Sequence, residues 1–366
     1  MVTAPRLADA VNERLEEFLA DRASILRSIS TDLDPISEFS KVFLSGGKRF
    51  RARCCALGFA AVRGAAGDAD DGSREALVAA ASALEVFHAA ALVHDDLVDN
   101  SDTRRGAPST HRVFEAQHAG AAWAGDAAAF GRASAILFGD LLLGWSDELL
   151  DEGLAGMRDR ASARAARLAF NRMRTEVTVG QHLDILEEQA WVAHPDGSHR
   201  ERAERVLVFK SAKYSIEAPL VIGASIAGGS EHRIDVLREF GLPIGIAFQL
   251  RDDVLGVYGD PEVTGKPAGD DLREGKRTML IAIARERMPA VDRERLDDRL
   301  GDPALSADEI GTLQRMIRDS GAVDEVEAVI AADTERALGA LAAGGLDRDA
   351  TDGLTELAYA VTRREH

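Results

Sequence analysis

Residues 92–106 read LVHDDLVDNSDTRRG and close a long run rich in Ala and Leu, residues that favour helix. On a helix, residues four apart share a face. Asp95 and Asp99 therefore point the same way, with Asp96 about 100 degrees round from Asp95. Aligned carboxylates repel one another, and a divalent cation relieves the repulsion. Mg²⁺ is the usual choice where the ion keeps several waters and takes its remaining ligands from substrate phosphates. Beyond the aspartates, Asp102 is followed by Arg104, Arg105 and Gly106. Paired guanidiniums suit oxygen-rich anions that accept forked hydrogen bonds. Taken alone, the stretch also reads as a solvated acidic helix end. A second stretch weighs against that: residues 249–256, QLRDDVLG, put Asp252 and Asp253 inside another apolar helical run, with Lys266 and Lys276 soon after. Charge buried among Ala, Leu, Val and Phe is costly unless it is paired or metal-bound.

Outward from these two stretches the composition is uniform in kind. The 366 residues are 46 % apolar but only 5 % aromatic, and sustained alternating strand patterns are missing, so the expected class is all-α. A net charge of −18, from 44 basic and 62 acidic residues, argues against nucleic acid or an anionic membrane as a partner. Cys54 and Cys55 are adjacent, with neither disulfide nor zinc spacing, and fit a reduced cytoplasm. No membrane span and no apolar signal core are expected, which makes cytoplasmic the predicted location.

Along the chain, Leu7, Val11, Leu15, Phe18 and Leu19 fall at helical spacing and predict an N-terminal helix within residues 1–30. Pro35 starts a second helix bearing Phe39, Val42, Phe43 and Leu44. Gly46 and Gly47 then introduce Lys48, Arg49, Arg51 and Arg53, where Lys48 and Arg51 are placed to clamp a diphosphate. A basic helix terminus facing a dipole is the alternative, and the spacing is not that of a Walker loop. His88 lies two turns before Asp95 on nearly the same face. Helices are expected over 128–150 and 162–190, the latter with Gln181 and Asp184 in its interior, and another bearing Lys210, Ser211, Lys213 and Tyr214 ahead of Pro219. Residues 258–276, rich in Gly, Pro, Asp and Lys, have the composition of a lid whose lysines close on phosphates. Helices without evident chemistry follow over 290–366. No linker or repeat divides the chain, so one domain over 1–366 is expected.

Together GGKRFR, HDDLVDNSDTRRG, GQHLD, FKSAKY and FQLRDDVLG, with a trailing GKP and EGK loop, resemble the trans-isoprenyl diphosphate synthases, or polyprenyl synthetases, most of all those making geranylgeranyl diphosphate. The resemblance implies a single all-α domain packed round a deep central cavity, as a homodimer. It implies condensation of isopentenyl diphosphate with allylic diphosphates, head to tail and trans. Asp95, Asp99 and Asp252 would hold three Mg²⁺ ions, supported by Asp96 and Asp253, with Gln181, Asp184 and Gln249 around them. Arg104, Lys210 and Lys266 would bind the allylic diphosphate, and Lys48, Arg51, His88 and Arg105 the isopentenyl diphosphate. Ser211 and Lys276 join the substrate-binding set. Gly256 stands where many members carry a third aspartate. Product length in such enzymes depends on residues just before the first motif. Ala90 and Ala91 are small there, and Phe87 lies roughly 6 Å below Ala91 at 1.5 Å rise per residue, about one isoprene unit. A C20 product follows if Phe87 faces the cavity; if it faces away, Ala83 and Ala80 leave room for longer chains. The rivals are a longer-chain synthase, a class I terpene cyclase and a non-catalytic subunit of a heteromeric synthase.

Overall fold

Helix-favouring composition and side-chain caps set the architecture. The computed structural model describes residues 4–63, 71–104, 106–259 and 269–363. The helices are α1 (Ala4–Ile29), α2 (Asp34–Leu44), α3 (Phe50–Arg63), α4 (Ser73–Val98), α5 (Thr110–Gly120), α6 (Ala127–Ala155), α7 (Arg160–Ala190) and α8 (His199–Val206). After a π-helical segment, Leu207–Glu217, come α9 (Ala218–Ile226), α10 (Glu231–Tyr258), the one-turn α11 (Asp270–Glu274), α12 (Met279–Arg287), α13 (Ala290–Arg299), α14 (Ala307–Asp319), α15 (Ala322–Ala343) and α16 (Arg348–Thr362). Among the described residues the only strands are β1 (Thr103–Arg104) and β2 (Ala107–Pro108), paired antiparallel with Arg104 opposite Ala107. The class is all-α, as the sequence predicts. Side chains of Asp126, Ser230, Thr278 and Asp347 accept from backbone N–H groups at the starts of α6, α10, α12 and α16, and Ser306 with Glu309 forms a capping box at α14.

The chain forms two compact units. One comprises Met1–Arg167 with Pro219–Gly229. In it Leu7, Val11, Leu15, Phe18 and Leu19 are all buried, so the predicted face of α1 is the one that packs. Phe39 and Phe43 of α2 gather with Phe114 of α5 and Phe138 of α6, ring centroids 5.2–6.0 Å apart. Val42, expected beside them, is 70 % exposed: it lies a third of a turn from that face. Small residues let α4 and α6 come close; Ala76, Ala79, Ala80 and Ala83 are buried, and Ser146 Oγ donates to Ala83 O at 2.8 Å. Both cysteines are buried in α3, and burial pushes the Cys54 thiol up to about 12. Among the described residues two helices, α4 and α6, have the length and composition of a membrane span. Protein buries 72 % of that window in α4 but 28 % in α6, which exposes Ile136 and Leu137.

The second unit comprises Leu168–Ala218 and Ser230–His366. Its core joins Leu250, Val254 and Val257 of α10 to Leu272, Leu280, Ile310 and Ile330. Arg251, beside the second aspartates, is a scaffold residue. Its guanidinium is held by both oxygens of Glu327 at 2.6 and 2.7 Å and donates to Thr362 O, tying α10 to α15 and α16. The segment expected to carry Lys210 on an ordinary helix is a π-helix, a rare form associated with functional sites. Its backbone is pressed from two sides. A Cβ at Gly180 of α7 would fall 2.5 Å from Phe209 C, and one at Gly245 of α10 would fall 2.8 Å from Ala212 Cα. Only glycine at both places admits the π segment between the two helices. Gly180→Ala is expected to destabilise the protein by about 1–3 kcal/mol, the usual range for overpacking, measured by urea denaturation.

Candidate active site

Each unit carries one acidic centre. In the first, Asp95 and Asp96 occupy the last turn of α4 and Asp99 caps it, its N–H donating to Asp95 O at 2.8 Å. The β1–β2 hairpin then turns Arg104 back onto them. Its Nε donates to Asp96 Oδ1 at 2.7 Å and its Nη2 to Asp95 Oδ2 at 3.1 Å. Asp96 is 1 % exposed, and its Oδ2 has no hydrogen-bond partner among the described residues. Burial raises the Asp96 pKa against the pull of Arg104. Burial also works against the charge on Arg104, but hydrogen bonding and attraction from Asp96 and Asp95 prevail and raise its pKa. Sequence reasoning missed the pair that closes the hairpin: Arg112 donates to both oxygens of Asp102, at 2.7 and 2.9 Å, and holds it below the usual carboxylate range. The buried His111 lies between, its Nε2 3.5 Å from Asp102 Oδ1. The available signal was the ten-residue spacing across the GAPST turn.

The basic loop of the same unit divides its cations. Gly46 and Gly47 have φ of 69° and 85°, and Arg49 has φ 47°, a conformation a side chain adopts only where its surroundings hold it. They do: Arg49 is buried, donates to Asn12 Oδ1 and Leu44 O, and lies 3.8 Å from Glu85. That leaves Lys48 exposed and Arg51 half-buried. His88 is half-buried on α4; Phe87 and Ala90 are buried, whereas Ala91 is partly exposed.

In the second unit, Asp252 is half-buried and Asp253 fully buried near the end of α10. Gln249 Nε2 donates to Asp253 Oδ1 at 2.8 Å. Burial pushes Asp253 up to about 8 against that hydrogen bond, helped by repulsion from Asp271, Asp252 and Asp184. Lys210 of the π segment is paired with Asp184 of α7, so GQHLD and FKSAKY meet. Gln181 and Ser211 are half-buried beside this pair in sequence. Lys276 Nζ lies 2.8 Å from Glu274 Oε2. Its neighbour Arg277 stacks 3.6 Å over the Trp191 ring and reaches Asp297 at 2.9 Å. Lys266 and Arg105 fall outside the described residues, as do residues 260–268 of the expected lid.

Among the described residues no three His, Cys, Asp or Glu side chains form a cage for a metal by themselves. The donor set still suits a hard cation that completes its shell with phosphate and water. It consists of carboxylates, one buried oxygen at Asp96 lacks a hydrogen-bond partner among the described residues, and burial, helped by repulsion from neighbouring carboxylates, raises the Asp253 pKa.

The polyprenyl synthetase family model matches residues 34–317. The chain belongs to the polyprenyl synthetase family. A crystal structure of geranylgeranyl pyrophosphate synthase from Corynebacterium glutamicum, complexed with isoprenyl diphosphate and magnesium, is 38 % identical with a TM-score of 0.89, over 98 % of this chain and 99 % of that one. A geranylfarnesyl diphosphate synthase of Aeropyrum pernix is 34 % identical over 77 % of this chain and 79 % of its own. A geranylgeranyl diphosphate synthase of Sulfolobus acidocaldarius is 31 % identical over 77 % and 76 %. In this polyprenyl synthetase the raised Asp253 pKa carries a sign. Unfolded, the carboxyl loses its proton near pH 4; folded, near 8. Its contribution to stability is fully present below the first value and is lost as pH rises through the second. In chelator-treated protein the unfolding midpoint should fall between about pH 4 and 8 and level off above, and Asp253→Asn should flatten that slope.

Proposed function

We propose that the chain is a Mg²⁺-dependent prenyltransferase that condenses isopentenyl diphosphate with allylic diphosphates to give geranylgeranyl diphosphate. The observation that carries this reading is the pairing of carboxylates with a phosphate-competent cation in both centres, Arg104 against the half-buried Asp95 and the buried Asp96, and Lys210 against the half-buried Asp184. Asp95, Asp99 and Asp252 are the residues to hold Mg²⁺, which when bound neutralises charge developing on a departing diphosphate. Asp96, Asp253, Gln181, Asp184 and Gln249 orient those carboxylates. Arg104 and Lys210 exchange their carboxylate partners for diphosphate oxygens, with Lys266 and Lys276 added from the following loop and Ser211 beside Lys210. Lys48, Arg51, His88 and Arg105 receive isopentenyl diphosphate. The family match runs across both compact units, in support of a single polyprenyl synthetase domain. The exposed Ile136 and Leu137 of α6 suit a homodimer face. Two reduced, buried cysteines suit a cytoplasmic location.

Product length rests on α4. Phe87 is buried in the helix that ends in the first aspartates, below the small Ala90 and Ala91, and we assign it as the floor of a C20 cavity. One observation favours a C25 product instead: a relative that is 34 % identical is a geranylfarnesyl diphosphate synthase. The retention of Asp95, Asp96 and Asp99 speaks against a silent subunit, and Lys48 with Arg51 against a cyclase.

The test is a product assay with Mg²⁺, isopentenyl diphosphate and each of the C5, C10 and C15 allylic diphosphates, products sized by mass spectrometry. A dominant C20 product is expected. C25 or longer would remove Phe87 as the floor, and no condensation by folded protein would sink the reading. Asp95→Asn and Asp252→Asn should each lower kcat by about 10²–10³-fold, the size of losing one preorganised electrostatic contact. Phe87→Ala should lengthen the product while leaving consumption of isopentenyl diphosphate largely intact.

A further inference from the structure

Gly256 lies four residues after Asp252, on the same face of α10. It brings no side chain to that face, yet the space a side chain would fill is taken. A Cβ built on Gly256 would land within the carboxylate of Asp271, 2.9 Å from Oδ1 and closer still to Oδ2. Asp271 is held there by its own short element. Gly269 and Gly275 bracket α11 in left-handed conformations, at φ 73° and 80°. Leu272, the next residue, is fully buried in the core of the unit. The N–H groups of Gly275 and Lys276 both donate to Asp271 O at 3.1 Å. The carboxylate is thus fixed from behind and aimed at the face that Asp252 defines.

We propose that Asp271 is the third carboxylate of the second aspartate motif, delivered from α11 into the side-chain space that Gly256 leaves open, and that it helps hold the divalent cation and its diphosphate. This rests on the reading of the chain as a Mg²⁺-dependent prenyltransferase. A separate observation points to the ligand: the 38 % identical relative was solved with isoprenyl diphosphate and magnesium. Gly256 and Asp271 form a reciprocal pair. A side chain at 256 expels the carboxylate at 271, and a carboxylate at 256 has room only when 271 is cut back.

That reciprocity gives the test. Binding of inorganic pyrophosphate in the presence of Mg²⁺ is measured by calorimetry on the full-length protein, alongside thermal unfolding in chelator. Asp271→Asn is expected to weaken pyrophosphate binding by about 10–100-fold, the cost of losing a carboxylate that supports a metal site, without lowering the metal-free unfolding temperature. Gly256→Ala should weaken it similarly, because the new methyl displaces the Asp271 carboxylate. Asp271→Gly alone should bind weakly, and the double variant Gly256→Asp with Asp271→Gly should regain most of the loss. Wild-type affinity in Asp271→Asn overturns the proposal, and so does a double variant no better than Asp271→Gly. Failure of the folded wild-type protein to bind Mg²⁺ and pyrophosphate at all would overturn the prenyltransferase reading, and this inference with it.

Discussion

Taking a carboxylate out of water costs several kcal/mol per ion even after the protein relaxes, and both acidic centres of this chain are arranged around that cost. Asp96 and Asp253 are almost wholly buried. The first sits in the last turn of α4, where the helix dipole already disfavours negative charge. Each centre offsets the cost by different means. In the first, a hairpin of two-residue strands brings Arg104 back onto two aspartates at once. In the second, Gln249 donates to Asp253, a lysine from the π segment takes Asp184, and burial, together with the remaining negative charge, raises the Asp253 pKa. Both arrangements stop short of full compensation, and that residue of unbalanced charge is what gives each centre an appetite for a cation.

The scaffold around the centres follows from this need for cations at fixed places. Lys210 reaches Asp184 because the π segment lies against glycine on α7 and glycine on α10, so that backbone rather than side chain meets backbone. Arg49 sits in a left-handed conformation and is spent on Asn12, Leu44 and Glu85, which fixes the loop from which Lys48 projects. Arg251 is turned to Glu327 and Thr362, holding α10 so that Asp252 and Asp253 keep their side of the helix. Cations next to the aspartates in sequence are therefore of two kinds, those that hold helices together and those that face the acids.

Much of this was legible in the sequence. The apolar face of α1 packs as its spacing requires, and the motif aspartates lie at the ends of two long helices, with Asp99 capping the first. The π segment was not legible, because the difference between hydrogen bonds to the fourth and fifth residue leaves little trace in the pattern of FKSAKYSIE. The double role of Arg104 and the closure by Arg112 depend on where a hairpin folds back. The four cations after Gly-Gly look alike in sequence, and only burial separates Arg49 from Lys48. Gly256 stood out as a departure within its motif, but its neighbour Asp271 is fifteen residues on, across a loop that no helical period spans.

The π-helical stretch also bears on how the chain tolerates changes of length. An i→i+5 ladder takes up a residue that an α-helix has no place for. Loss of one residue within Leu207–Glu217 would let the stretch relax to ordinary helix at little cost to the backbone. The geometry would not survive so well. Everything on one side of the deletion would rotate by about 100 degrees relative to the other, so either Lys210 would leave Asp184 or α9 would present the wrong face. Single-residue deletions here should be structurally mild and chemically severe, the reverse of what is usual for a core helix.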